Sequence, residues 1–386
     1  MPIRPAARVT DTSPKNFGMF AKAVGMAGDL IHLELGMPAE DTPQHIKAAT
    51  ITALQAGEVH YSDLQGLPAL RAAIAAKMQA QGVDLGPDEV IVTNGLTQAS
   101  FAAFMAFLGP GDECLLLAPY YPQHIGKAEL AGANVHIAPL DAANNFAINP
   151  DLIAPHITPA TKAIALINPC NPTGRVYTRA ELQALADLAV EHDLLVFSDE
   201  VYADITYDGA RHIHIAALPG MRERTITMGA FTKAFAMDGW RLGWIAAEAA
   251  LIGPCMKLHT SEVTHVNTFV QHGGIAALTG DPAVLEGMVA RDRARRDLVV
   301  ARLNQMPGVR CAPVEGTIYA FPNISATGLS AQDCADRLLE ETGVVVEAGS
   351  FYGAAGEGHL RVCFGCAELP VLEEAMDRMQ RFFNAL

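Results

Sequence analysis

From Pro43 onward the apolar positions recur with two periods. Pro43 to Ala56 and Leu67 to Ala80 carry apolar residues at helical spacing. Short β-rich runs then alternate with helical stretches. The predicted strands are Glu89–Thr93, Glu113–Ala118, Asn134–Ala138, Lys162–Ile167, Leu194–Ser198, Thr225–Met228 and Gly243–Ala246. The predicted helices between them include Thr97–Leu108, Gln123–Leu130 and Arg179–Glu191. Strands without polar alternation, interleaved with helices, imply a mainly parallel sheet covered on both faces. The first forty residues are loop-rich instead, with Pro2, Pro5, Pro14 and Pro38. Beyond Asp281 the pattern changes again. A long charged helix, Pro282–Gln305, precedes β-rich pieces (Thr317–Pro322, Val344–Glu347, His359–Phe364) mixed with helices (Ala331–Glu341, Leu369–Phe383). The expected fold is α/β: a large domain with a mainly parallel seven-stranded sheet covered by helices, plus a smaller α+β domain. The expected boundaries are 1–45 for an N-terminal arm and part of the small domain, 46–280 for the large domain, and 281–386 for the small one.

A chain of 386 residues suits two domains. At 50% hydrophobic and 18% charged it can bury a large core, which excludes disorder. Lys+Arg 27 against Asp+Glu 42 gives a formal charge of −15, which argues against a nucleic-acid partner. The run from Arg291 to Asp297 mixes signs and reads as a solvated helix face. No apolar run reaches about 18 residues, and no apolar stretch follows the N-terminal arginines, so neither a membrane span nor an export signal is expected. Seven scattered cysteines read as reduced thiols, and a cytoplasmic location is expected.

Four clusters carry candidate chemistry. Asn168-Pro169-Cys170-Asn171-Pro172-Thr173-Gly174 directly follows a predicted strand. Its two X-Pro steps forbid helix and force an extended turn at the strand's C-terminal end, the edge where ligands sit in open α/β sheets. A rigid turn without a ligand explains it equally well. Asp199-Glu200-Val201-Tyr202 ends another strand. Its acid suits a cationic ligand nitrogen, or a helix N-cap. The third cluster is the strongest: Gly229-Ala230-Phe231-Thr232-Lys233-Ala234-Phe235, leading to Arg241. A lysine amid Ala, Phe and Met loses water, which favours the nucleophilic amine over the ammonium. Arg241 is a permanent cation with a fork suited to phosphate. Last, Arg361 in His359-Leu360-Arg361-Val362 lies on a predicted strand from which it can grip a carboxylate bidentately, or form a structural ion pair.

Taken together, NPCNPTG, DEVY, FTKAFAMDGWRLGW and HLRV resemble the class I/II aminotransferases, the aspartate-aminotransferase-like branch of fold-type I pyridoxal-phosphate (PLP) enzymes. The resemblance runs from about Leu33 to the C-terminus. It implies that Lys233 holds PLP as an internal Schiff base and then shuttles a proton. It implies that Asp199 pairs with the pyridine nitrogen, that Tyr202 and Asn171 bond the ring's 3-oxygen, and that Arg241 clamps the phosphate. Gly95, Leu96 and Thr97 would add backbone donors at a helix start. Tyr121 would stack on the ring, and Tyr61 would reach the cofactor of a partner subunit, making a homodimer. Arg361 would grip the substrate α-carboxylate, with Gly36 offering backbone nearby. The side-chain pocket would draw on Phe17, Phe20 and Met37. Two positions depart from the family pattern. Ala230 stands where a serine is frequent, with Thr232 nearby, and Thr97 stands where some acid-specific members carry a basic residue. Between Arg241 and Arg291 Lys257 is the only Lys or Arg, so no second carboxylate clamp is visible.

The implied activity is transfer of an α-amino group from an L-amino acid to a 2-oxo acid such as 2-oxoglutarate or pyruvate, by a ping-pong route through pyridoxamine phosphate. A carbon–sulfur β-lyase or decarboxylase on the same scaffold is the first alternative. A PLP-binding regulatory protein without turnover is the second. Other motifs carry less. Cys363-Phe364-Gly365-Cys366 lacks the further ligands of a zinc site. His212-Ile213-His214 reads as two residues on one face, and no metal is expected. Neither a dinucleotide fingerprint nor a Walker A loop is present.

Overall fold

The computed structural model describes residues 3–10, 12, 18–26 and 28–386. A two-residue strand, β1 (Ile31–His32), comes first. Seven strands then build the main sheet: β2 (Val90–Thr93), β3 (Glu113–Ala118), β4 (Asn134–Pro139), β5 (Thr161–Ile167), β6 (Leu195–Asp199), β7 (Thr225–Ala230) and β8 (Gly243–Ala246). Their order is β2-β8-β7-β6-β5-β3-β4. β8 runs antiparallel to both neighbours and the other pairs are parallel. All seven match the predicted strands to within two residues. The reason is burial: β2, β7 and β8 are buried at every position, because helices cover both faces. Helix Leu96–Phe107 packs on one face, with Phe104, Phe197 and Ile245 in one apolar cluster, and Arg179–Glu191 on the other, with Leu182, Leu185 and Val196.

The second layer differs from the expectation in detail. Thr317–Pro322 contributes only β9 (Tyr319–Ala320), and Val344–Glu347 splits into β10 (Val344–Val345) and β11 (Glu347–Ala348). β12 (Leu360–Cys363) lies between β11 and β9, antiparallel to both, while β1 pairs in parallel with β10. The N-terminal stretch, expected to be loop, holds short helices at Ala7–Thr10 and Gly18–Ala23. Val344 and Val345 carry β-branched side chains on a short pair that β1 closes from 313 residues away, a pairing no local pattern reveals.

The carboxyl ends of β5 and β6 lie side by side, Ile167 opposite Asp199. The β2 end turns through Gly95 into helix Leu96–Phe107 directly against β8: a Cβ on Gly243 would meet Gly95 C at 2.9 Å and Leu96 N at 3.0 Å. The loop joining β7 to β8 carries Lys233 and Arg241 to the same edge.

Candidate active site

That edge opens into a cavity of about 340 Å³. Its wall includes Gly36, Leu96, Thr97, Tyr121, Asn171, Asp199, Tyr202, Lys233, Arg241 and Arg361, so ten residues expected at one site from seven separate chain segments do meet. Met37 also lines it, whereas Phe20 is not among the lining residues, and Phe17 falls outside the described residues. Gly95 lies just behind the wall, a Cβ there meeting the Arg241 fork at 2.4 Å. Tyr61 lies elsewhere: it is 87% exposed and stacks on His265 at 4.5 Å.

Lys233 Nζ donates to the Gly36 carbonyl. Loss of water pulls its ammonium down to about 8, with Arg361 and Arg241 pushing the same way against Cys363 and Asp238. The side chain is therefore poised between ammonium and free amine near neutral pH, as a nucleophile and proton carrier requires.

Asp199 is 3% exposed. Its Oδ1 accepts from the Val201 N–H at 3.2 Å, and its Oδ2 lies 3.1 Å from His124 Nε2. Burial holds His124 below the usual imidazole range, and Lys127 adds to that, while Asp199 opposes both. His124 is thus a neutral ring that donates from Nε2. Sequence reasoning did not single it out. It follows Tyr121 by three residues on helix Pro122–Leu130, and its partner is 75 positions away.

Arg241 and the start of helix Leu96–Phe107 form an anion cradle. Gly95 is the N-cap, has φ of +80°, and caps no N–H with a side chain, so the first helical N–H groups remain free. Arg241 itself sits at φ +54°, a strained value for a non-glycine residue, and donates from Nη1 to the Asp238 carbonyl at 2.7 Å. The strain and the glycine together bring a guanidinium and free backbone donors to one spot, which fits a phosphate group.

Arg361 is 7% exposed and sandwiched between the rings of Tyr319 (4.3 Å) and Tyr352 (5.0 Å). Nη1 donates to Asn171 Oδ1 at 3.2 Å and Nη2 to the Glu34 carbonyl, whereas Nε is buried without a partner. A buried guanidinium with an unused N–H is what a substrate carboxylate needs. Asn171 spends its oxygen on Arg361, which leaves its amide N–H₂ to donate into the cavity. The hydroxyls of Tyr202 and Tyr319 pair at 2.8 Å, and burial pushes Tyr319 up to about 12, so it remains a neutral donor. Tyr319 and Tyr352 were not foreseen.

His212 and His214 converge on Glu200. The Tyr177 N–H fixes the Asn168 amide by donating to its Oδ1 at 3.1 Å, so Asn168 Nδ2 faces His212 Nδ1 at 3.3 Å. The His212 proton therefore sits on Nε2, 3.2 Å from Glu200. His214 faces acceptors with both nitrogens, Glu200 and Gln81 Oε1 (2.7 Å). Burial opposes a charge on His214, but Glu200 outweighs it and raises its pKa. His214 and Glu200 form a hydrogen-bonded ion pair, and His212 Nε2 lies close to the same carboxylate without a hydrogen bond of its own. In the Cys363/Cys366 pair, the single Cys366 S–H has two alternative acceptors, the carbonyls of His32 and Cys363, both at 3.2 Å.

The family profile "Aminotransferase class I and II" matches residues 28–379. The chain is 42% identical to an aspartate aminotransferase of Pyrococcus abyssi over 368 residues, 94% of each chain. It is 39% identical to aromatic-amino-acid aminotransferase 2 of Thermococcus litoralis, again over 94% of each. Its structure is similar to the crystal structure of an aromatic aminotransferase from Pyrococcus horikoshii, with a TM-score of 0.90 and 40% identity, covering 95% of this chain and 98% of that one. All three are named as aminotransferases, which does not favour the lyase, decarboxylase or regulator alternatives.

Proposed function

The chain belongs to the class I and II aminotransferases and is a PLP-dependent aminotransferase, and from that premise we propose a role for each side chain of the cavity. When bound, PLP supplies an aldehyde that receives the amino group and a protonated ring that withdraws electrons from the reacting carbon. Lys233 would hold the cofactor and, as a free amine, would take the proton from the substrate Cα; its lowered pKa supports both duties. Asp199, oriented by His124 and the Val201 N–H, faces the ring nitrogen. Arg241, Leu96 and Thr97 hold the phosphate, with Gly95 shaping the turn. Tyr121 covers the ring, and Asn171 and Tyr202 donate to its 3-oxygen. Arg361 grips the α-carboxylate, the group both substrates of the ping-pong cycle share, through two of the N–H groups not given to Asn171 and the Glu34 carbonyl, and Gly36 contributes the carbonyl that steers Lys233.

Residues 46–280 act as the cofactor-binding unit and 281–386, with the N-terminal arm, as the part that carries Arg361. The working form is a cytoplasmic homodimer in which Tyr61 serves the partner's phosphate; its 87% exposure supports a role outside its own cavity. Among the described residues no helix is long and apolar enough to cross a membrane.

The single observation that carries this reading is a desolvated lysine sharing one cavity with a buried carboxylate and two arginines. Lys233→Ala is expected to bind PLP only noncovalently, to lose the visible absorbance of the lysine-bound cofactor, and to lose transamination. An alanine variant with full activity overturns the assignment.

A further inference from the structure

Lys127 is a buried ammonium that none of the roles above uses. It is 6% exposed, on helix Pro122–Leu130, one turn beyond His124. Its Nζ donates to Ser100 Oγ at 2.7 Å. That hydroxyl gives its own proton to the Leu96 carbonyl (2.8 Å) or the Thr97 carbonyl (3.1 Å), so it faces Lys127 as an acceptor. A lysine is rarely enclosed this way unless a charge nearby repays the lost hydration. The neighbours leave one candidate. Helix Leu96–Phe107, packed against it, has no ionisable side chain. β4 offers His136, already facing Glu113 at 3.3 Å, and the short helix Ala7–Thr10 offers Arg8. On β3, burial keeps Cys114 neutral by pushing its thiol up to about 12. Glu129, the acid on its own helix, has Oε2 buried without a hydrogen bond, but it stands two residues on and faces another side of the helix from Lys127. The anion whose field reaches Lys127 is Asp199, the carboxylate that His124 touches.

We propose that Lys127 is a positioning residue: it takes the one cation place available beside Asp199, behind His124, and so keeps His124 a neutral ring that donates from Nε2. Two positive charges cannot share a dry site with a single carboxylate, so the protonation of one lowers that of the other. With the Lys127 ammonium docked on Ser100 Oγ, away from the carboxylate's own contacts, Asp199 keeps its negative charge for the cavity. With the charge on His124, in contact with Asp199 at 3.1 Å, the carboxylate is half neutralised where it should face a ring nitrogen. The unpartnered, buried Nδ1 of His124 agrees: an imidazolium would need an acceptor there, and none is present among the described residues. Burial pulls Lys127 to about 8, so its charge is present at neutral pH and leaves above pH 8.

The inference rests on Asp199 facing the ring nitrogen, and the test separates the two claims. The first measurement uses apoprotein: ¹⁵N-labelled histidine NMR from pH 5 to 9 on wild type, Lys127→Met, which keeps the volume without the charge, and Ser100→Ala, which removes the ammonium's hydrogen bond. In wild type His124 is expected to titrate below the usual imidazole range and, when neutral, to carry its proton on Nε2. In Lys127→Met its titration midpoint rises by about one pH unit, with a smaller rise in Ser100→Ala. A His124 titration that is unchanged in both folded variants overturns the proposal and reduces Lys127 to a space-filler. The second measurement is PLP affinity and the visible spectrum of the reconstituted variants. Lys127→Met is expected to bind PLP several-fold more weakly at pH 7. If His124 shifts while affinity and spectrum do not, Lys127 still governs His124, and it is the facing of Asp199 to the ring that fails.

Discussion

Arg361 offers the sharpest test of the substrate site. Its guanidinium sits between two tyrosine rings, with one N–H on Asn171, one on the Glu34 carbonyl, and Nε without a partner. Replacing it with methionine keeps bulk and removes the charge. A substrate carboxylate then loses two charge-assisted hydrogen bonds, each worth about 1.5–2 kcal/mol net, or about 3–4 kcal/mol together. At about 1.4 kcal/mol per decade, kcat/KM for an L-amino acid falls by roughly 10²–10³. Arg361→Lys keeps the charge but not the fork, and falls by roughly ten- to a hundredfold. The assay is a single half-reaction, scored by loss of visible absorbance as amino acid is added to PLP-loaded protein. Two controls give it discrimination. PLP content is expected to be unchanged, because the residues assigned to the phosphate and ring do not include Arg361. An amine donor lacking the α-carboxylate is expected to react equally slowly with wild type and variant. The substitution also leaves Asn171 Oδ1 and the Glu34 carbonyl without their donor, at a cost of about 1–3 kcal/mol each, so Tm must be followed in parallel. If PLP is lost, or if amines and amino acids suffer alike, Arg361 does not hold the carboxylate and the argument from its unused N–H is wrong.

Two other outcomes are within reach of simple measurements. Lys233 in apoprotein is an ammonium below about pH 8 and a free amine above it, so the rate of covalent PLP capture, trapped by borohydride, should climb about tenfold per pH unit from pH 6 and level off beyond 8; a plateau reached only near the ordinary lysine value of about 10.4 would mean the side chain is hydrated. The homodimer predicts about twice 41.0 kDa by sedimentation equilibrium, and inactive Lys233→Ala mixed with inactive Tyr61→Phe should regain activity through hybrid dimers carrying one intact site; a monomeric mass excludes the role given to Tyr61.

The main sheet was readable because its strands are buried along their length, which leaves continuous apolar runs that mark their own ends. Helices Ala249–Glu262 and Thr268–Thr279 carried no such mark. The first contains Pro254, and the second contains Gly273 and Gly274, both weak helix formers. Tertiary packing explains the glycines: a Cβ on Gly273 would meet Thr50 Oγ1 at 2.5 Å, and one on Gly274 would meet Leu242 at 2.6 Å. The small strands β9 to β12 were blurred for a related reason, since partners far along the chain, rather than local alternation, decide where each pairing stops.

The site divides along the same line. Lys233, Asp199 and Asn171 sit in motifs because each lies at a strand end or turn, where the backbone itself needs unusual residues, and local spacing records that need; Arg361 shows instead as a charge inside the apolar strand β12. His124 and Lys127 occupy consecutive turns of an ordinary helix, and their meaning depends on Asp199 and Ser100, which no spacing rule connects to them. Tyr319 and Tyr352 look like core aromatics until the fold wraps them around one guanidinium. Motif reading therefore finds the groups assigned to the cofactor and substrate and misses those that set their charge. The lowered pKa of Lys233, the neutrality of His124 and the unused N–H of Arg361 all arise from burial and from neighbours supplied by other segments, so the reactivity of this site is a property of packing that the sequence motifs alone do not contain.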